Sequence, residues 1–323
     1  MPFRSGDVQV EVRYDETIVL CQPAYQDVTA ILLDTDPTLI FRLAELIPGS
    51  ADWLVETITK IAIWSNCAES WIETLVCHEL GARADRDPAL LFRGTTVATR
   101  AMDTLMKVVG LGFVDRLVGD VVRRVTSNEC ACEVDPTRLP SSNSVDVHWR
   151  ALMRLLQELW QGIEDGTSSC PPIMRRVFCS IRRVASTVFD RKYLGQVRYS
   201  CISSFVFLRL LCPAMLAPKA FGLVYTVPSA ACLRTLTLLA KGIQCAANLS
   251  GSVGKEPYMQ PMNSFVQSCI PKLKLFIDTI AEPPDRPDTV GECVPIDGKH
   301  ELAVLCAFIH SSRSQIPMFC SRK

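Results

Sequence analysis

The chain carries no excess of charge. Its 34 Lys and Arg residues balance 34 Asp and Glu, a formal net charge of +0. With no global field of either sign, nothing in the composition points to nucleic acid as a partner. Histidine is scarce: His78, His148, His300 and His310 are dispersed along the chain. No Ser/His/Asp or Cys/His arrangement can be argued from them, and there is no glycine-rich phosphate loop. An independent hydrolase therefore has no catalytic constellation to rest on. Cys130-Ala131-Cys132 is the only close cysteine pair. No second pair or histidine cluster follows it at zinc spacing, so no metal or other cofactor is expected. An uninterrupted apolar run of about 18 residues, the length of a membrane span, is missing too. The greasy stretch from Ser204 to Ala217 is broken by Arg209 and Pro213. The opening residues, Met1-Pro2-Phe3-Arg4-Ser5-Gly6-Asp7, show no apolar signal segment. No repeat of fixed period is visible, which argues against a helical solenoid.

What is present is a chain of 323 residues, 48% of them hydrophobic, enough for a substantial core. Its 15 cysteines, an odd number, sit mostly in apolar contexts. Without a secretory signal they read as reduced thiols, which places the chain in the cytoplasm. Apolar residues recur at spacings of three and four, and turn signals separate the runs, so the chain reads as all-α. Ala98, Met102, Leu105 and Val109 form one stripe. Leu152, Leu155, Leu156 and Leu159 form a second, after the polar loop 140–144. Leu236, Leu239, Ile243 and Ala247 form a third. A proline-rich loop begins at Glu282, and a last helix is expected from about Glu301 to Ser311. One short stretch differs: Val8, Val10 and Val12 alternate with polar residues, as in a half-buried strand.

Two arginines stand out against this background. Asp87-Pro88 disfavours helix, and Thr95 or Thr96 can cap the run that follows. Arg93 and Gly94 therefore fall on a short turn between helices. Taken alone, Phe92-Arg93-Gly94 is a solvated loop. Arg209 lies inside the apolar run Phe205-Val206-Phe207-Leu208-Arg209-Leu210-Leu211. An isolated buried charge costs several kcal/mol, so Arg209 must be paired or well hydrogen-bonded. Further on, Lys241, Gln244 and Asn248 fall within about 60° of one another on a helix, opposite the third apolar stripe. That gives one helix a narrow polar front, which is by itself an ordinary solvated face. A basic cluster spans Arg175, Arg176, Arg182, Arg183, Arg191, Lys192 and Arg198. It could steer an acidic partner, rest on an anionic membrane surface, or simply be solvated.

Together these segments resemble the catalytic domain of the Ras GTPase-activating proteins. Leu91-Phe92-Arg93-Gly94-Thr95-Thr96-Val97-Ala98-Thr99-Arg100 is similar to the family's finger loop. Phe207-Leu208-Arg209, with Pro213, Ala214 and Pro218, is similar to its Phe-Leu-Arg motif. Lys241, Gln244 and Asn248 match its polar groove helix, and Lys255-Glu256-Pro257-Tyr258-Met259 with Asn263 matches the segment after it. Cys132-Glu133-Val134-Asp135-Pro136 resembles a family connector.

The resemblance implies an all-α fold with a catalytic core at about 66–264 and an accessory part built from both ends, 20–65 and 265–323. Residues 1–19 are expected to form a short strand-like arm, similar to the tail of a C2 domain that precedes this module in several relatives. It further implies that Arg93 enters a Ras-type GTPase in its GTP form, that Arg209 holds the finger loop, and that the partner brings GTP and Mg. Phe92, Gly94, Thr95, Leu208, Lys241, Gln244, Asn248 and Lys255 are the implied contacts with the GTPase. Gly94 would let the backbone pass close to the partner without a Cβ clash. The chain itself would not be an enzyme but an activator, acting in the cytoplasm or at the inner face of the plasma membrane. The alternative is a non-catalytic helical scaffold that binds a GTP-loaded GTPase, and the retained Arg93 favours the activator. Gly242 and Cys245 depart from the pattern and should weaken the groove helix slightly.

Overall fold

A computed structural model describes residues 16–34, 36–46, 49, 51–81, 91–139, 145–189, 191–249, 253, 256–284 and 296–312. Every regular element among them is helical. In chain order they are α1 (Gln26–Leu32), α2 (Thr38–Leu46), α3 (Ala51–Trp64), α4 (Ala68–Gly81), α5 (Val97–Val109), α6 (111–127), α7 (Val145–Asp165), α8 (Pro172–Val188), α9 (Leu194–Leu216), α10 (Ala230–Ala247), α11 (Asn263–Ile280) and α12 (Gly298–Ser311). The alternating stretch 8–12, the Asp87-Pro88 turn and the loop 140–144 lie outside the described residues.

All three apolar stripes face the core. Ala98, Met102, Leu105 and Val109 are buried on α5, Leu152, Leu155, Leu156 and Leu159 on α7, and Leu236, Leu239, Ile243 and Ala247 on α10. At the centre is α9, which packs against α5, α8, α10 and α11. Among the described residues it is the one helix long and apolar enough to cross a membrane, yet 72% of its most apolar window is buried inside the protein. Its apolarity serves the core. Phe207 meets Phe276 of α11 edge-on at 5.7 Å and lies parallel to Trp160 of α7 at 6.4 Å. Each such fully buried side chain contributes about 1.5–3 kcal/mol.

The middle of α9, Ser204–Leu211, is wound as a π-helix. The Cys212 N–H bonds the Phe207 carbonyl, five residues back, and Pro213 follows directly. Proline has no N–H and crowds the carbonyl four residues back, so a widened turn just before it relieves the conflict. A second π segment, Asp115–Gly119, lies within α6.

Helices α3 and α12, far apart in sequence, meet. Trp53 of α3 packs on Phe308 of α12 at 4.6 Å, and Lys60 pairs with Glu301 at 3.4 Å. Gly298 lies so close to Trp64 that a Cβ there would fall 2.1 Å from the indole ring. The final helix begins at Gly298, three residues ahead of the expected start, because Asp297 caps it by accepting the His300 N–H.

Most of the basic cluster is paired within the chain, although Arg183 and Arg198 stay exposed. Arg182 binds Asp278 at 2.9 Å and the Ala281 carbonyl at 2.9 Å, and Arg198 binds Asp278 at 2.7 Å. Arg175 reaches the carbonyls of Thr279 and Glu282 at 3.3 and 3.2 Å. These guanidinium groups close the C-terminal end of α11, where carbonyls lack helical partners and the dipole favours cations. Arg183 pairs with Glu73 at 2.8 Å and Arg176 with Glu69 at 3.5 Å.

The connector before α7 is stitched to α10. Thr235 Oγ1 accepts the Cys132 N–H at 2.9 Å and donates to the Cys130 carbonyl at 2.8 Å. Glu133 takes Arg234 in a fork at 2.8 and 2.9 Å. Burial pushes the Glu133 carboxyl up, but hydrogen bonds from Arg234 and the Asp135 N–H outweigh it and hold the group below its usual value. A carboxylate depressed in this way stabilises the fold above its unfolded pKa, and the contribution is lost as pH falls through the folded one. Glu133→Gln should therefore cost about 1–2 kcal/mol at neutral pH, and the gap to wild type should close below about pH 4. Denaturant titrations across pH test this; equal stability of the two proteins at pH 7 would refute the role of the pair.

Candidate functional site

The site is built where the turn before α5 meets the π segment of α9 and the C-terminal end of α10. The turn begins with Leu91 and Phe92, both buried. Phe92 is only 3% exposed and packs on Phe205 at 4.8 Å between ring centroids. Its backbone takes φ +55°, in the left-handed region that a bulky residue occupies only when its surroundings hold it there. The buried ring anchors the turn, and the reversed backbone sends Arg93 outward. The Phe92 ring is thus turned into the core, while its carbonyl is taken by Arg209.

Thr96 is the cap of α5. Its hydroxyl accepts the Thr99 N–H at 3.2 Å, while the Thr99 hydroxyl accepts the Thr96 N–H at 2.8 Å. This reciprocal pair satisfies two otherwise orphaned donors at the helix start. Thr96 Oγ1 also donates to buried Glu79 of α4, and Thr99 Oγ1 reaches the Gly94 carbonyl at 3.1 Å. Neither Glu79 nor the reversed backbone of Phe92 was singled out in the sequence. Of the two threonines considered as caps, Thr95 is exposed and Thr96 does the work.

Arg209 clamps the turn from the other side. Its Nε donates to the Phe92 carbonyl at 2.9 Å, Nη2 donates to the Gly94 carbonyl, and Nη1 pairs with Asp103 of α5 at 2.8 Å. Its side chain is 16% exposed, so the charge needs these partners. Burial raises the Asp103 carboxyl above its usual value, against the opposing pull of Arg209. Leu208 beside it is half-buried and packs against the core.

Arg93 and Gly94 are exposed, and a Cβ built on Gly94 would meet nothing within 4 Å. The glycine is required neither by its φ nor by crowding within the chain. Arg93 Nη2 donates to Asn248 Oδ1 at 2.9 Å, across 155 residues of sequence. That bond joins the turn to the polar front of α10. Asn248 closes α10 as its C-cap. One turn back Gln244 is exposed. Lys241 is held by both oxygens of Glu256, at 2.8 and 2.7 Å, and Tyr258 donates to the same carboxylate at 2.8 Å. Those bonds, Lys241 first, hold the Glu256 carboxyl below its usual value. Lys255 lies outside the described residues, while Asn263 accepts the Val253 N–H at 2.9 Å and ties down the segment following α10.

Gly242 lies at a close contact between α10 and its neighbours. A Cβ there would come within 2.8 Å of Met262 Sδ and 2.9 Å of Leu156 Cδ2. The described cysteines are free thiols. Burial pushes Cys201 and Cys212 up to about 12, which makes them inert packing residues rather than nucleophiles.

Residues 140–248 match the family described as GTPase-activator protein for Ras-like GTPase. The matched stretch contains Arg209, Lys241, Gln244 and Asn248, and the Arg93 turn lies ahead of it. Over 93% of its length the chain is 28% identical to Ras GTPase-activating protein 1 of Bos taurus. It is 33% identical, over 94% of its length, to RAS protein activator like-3 of Homo sapiens. Ras GTPase-activating protein gap-2 of Caenorhabditis elegans is 31% identical over 95% of the chain. The chain spans 29%, 29% and 25% of those relatives respectively. All-α, and carrying that family's matched segment within an alignment that runs nearly end to end, the chain belongs to the Ras GTPase-activating proteins.

Proposed function

We propose that this chain stimulates GTP hydrolysis by a Ras-type small GTPase by lending it Arg93. The observation that carries the reading is the division of labour between the two arginines. Arg209 takes the carbonyls on either side of Arg93, while the Arg93 side chain stays exposed. A buried, satisfied clamp around one exposed guanidinium suits a group delivered to another protein's site. Phosphoryl transfer builds charge on the oxygens around the γ-phosphate, and a planar guanidinium meets several at once. The bound GTPase would supply GTP and Mg and perform the chemistry. This chain would supply charge and exclude water.

Three further features support the reading. The Arg93 carbonyl has no hydrogen-bond partner among the described residues, so it is available to orient a partner's water-positioning side chain. The open space around Gly94 lets a partner approach the backbone closely. Finally, the bond from Arg93 to Asn248 places the finger at one end of the polar face of α10, where Gln244 is exposed one turn back.

The test is single-turnover GTP hydrolysis by purified Ras, with the wild-type chain and with Arg93→Ala. The mutant should lose about 10³–10⁵ in rate, a range established on the Ras system itself and carried over rather than calculated from this geometry. Its unfolding temperature should stay at the wild-type value, since Arg93 is exposed. Binding of GTP-loaded Ras without any acceleration by the wild-type chain would mean a scaffold instead. Arg209→Ala should lose both stimulation and stability, the latter by about 2–4 kcal/mol, because it orphans Asp103 and two carbonyls. Full stimulation by that mutant would remove Arg209 from the mechanism.

A further inference from the structure

Asp103 stands apart from both the Arg93 turn and the polar face of α10. It projects from α5 one helical turn after Thr99, so Thr99 and Asp103 share a face as an i, i+4 pair. Both act on the turn. Thr99 reaches the Gly94 carbonyl directly at 3.1 Å, and Asp103 reaches it through Arg209. The guanidinium is used on two edges. Nε and Nη2 form a fork onto the carbonyls of Phe92 and Gly94, while Nη1 meets Asp103 Oδ2 at 2.8 Å. The group is planar and its N–H directions are fixed relative to one another. Anchoring the Nη1 edge therefore decides where the fork points.

We propose that Asp103 is a positioning residue for the arginine finger: its carboxylate sets the plane of Arg209, and Arg209 sets the two carbonyls that flank Arg93. The proposal rests on Arg93 acting on a bound GTPase. The surroundings of Asp103 fit the role. Among the described residues its buried Oδ1 has no hydrogen-bond partner, and Arg209 is the one group that bonds the carboxylate. Among the described residues, Asp103 is also the one acid paired with Arg209. The reversed backbone at Phe92, φ +55°, persists only while its surroundings over-determine it. A guanidinium released to turn within its pocket would let Phe92 relax, and Arg93, the next residue, would swing with it.

The full chain carrying Asp103→Asn, or Asp103→Glu, tests this with three readouts. The first is the saturating single-turnover rate of GTP hydrolysis by purified Ras. The second is the affinity for Ras loaded with a non-hydrolysable GTP analogue. The third, on the chain alone, is solvent exchange of the Arg209 Nε–H by NMR. Asp103→Asn keeps the shape but loses the charge; it should lower the saturating rate about 10–100-fold, the cost of misplacing a catalytic group by about an ångström. Affinity should hold and the Nε–H should exchange faster. Asp103→Glu should recover much of the rate and slow the exchange again. The proposal is overturned if Asp103→Asn keeps both the wild-type rate and the wild-type exchange. It is equally overturned if the rate falls only in step with affinity or stability and Asp103→Glu brings no recovery. If the wild-type chain stimulates nothing, the proposed function fails, while Arg209 Nε–H exchange in the variants still decides whether Asp103 sets its aim.

Discussion

The buried guanidinium of Arg209 is the constraint around which the site is organised. Placing a full charge inside an apolar helix costs several kcal/mol unless the charge is paired and hydrogen-bonded. Here the partners come from two other parts of the chain, the turn before α5 and α5 itself. The same three bonds therefore satisfy the charge and define the turn. The π winding of α9 belongs to this arrangement. It accommodates Pro213 and carries Arg209 within a segment whose neighbours Phe205, Phe207, Leu210 and Leu211 are buried. Wide turns of this kind recur at functional sites because they change the direction of one side chain without ending the helix.

Arginine is used here in two ways. Arg175, Arg182 and Arg198 close the end of α11, Arg234 ties the connector to α10, and Arg209 holds the turn. Each is spent on carbonyls or carboxylates of its own chain. Arg93 is exposed and held by a single bond to a neutral amide. An amide is a weaker acceptor than a carboxylate, so the Arg93 side chain is held less firmly than the paired arginines. The rigidity of the surrounding helices and the looseness of that one bond are complementary: the scaffold fixes where the guanidinium starts and leaves open where it ends.

Much of the fold was legible because helical burial writes a period into the chain. The stripes on α5, α7 and α10 face the core as their spacing requires. Arg209 was legible for the opposite reason, as a charge where the pattern demands none. Other features left no such mark. Phe92 reads as any aromatic beside an arginine, and only the surrounding contacts force its backbone into the left-handed region. Gly242 reads as a poor helix former, yet a Cβ there would force the ends of the Leu156 and Met262 side chains to shift. The basic cluster reads as a charged surface, and its acceptors lie roughly a hundred residues away along the chain.

By itself, then, the amino-acid sequence determined the helical class, the core-facing positions, the turn that exposes Arg93 and the need to neutralise Arg209. All of these follow from local periodicity, from turn chemistry, or from the cost of one buried charge. Tertiary structure alone decided which groups meet that charge, that Asp103 shares it, that the Phe92 ring is buried against Phe205, and that Arg93 rests on Asn248. Those outcomes depend on side chains far apart in sequence converging within about 3 Å, and hydrogen-bond geometry at that range is set by how helices pack, which no local pattern encodes.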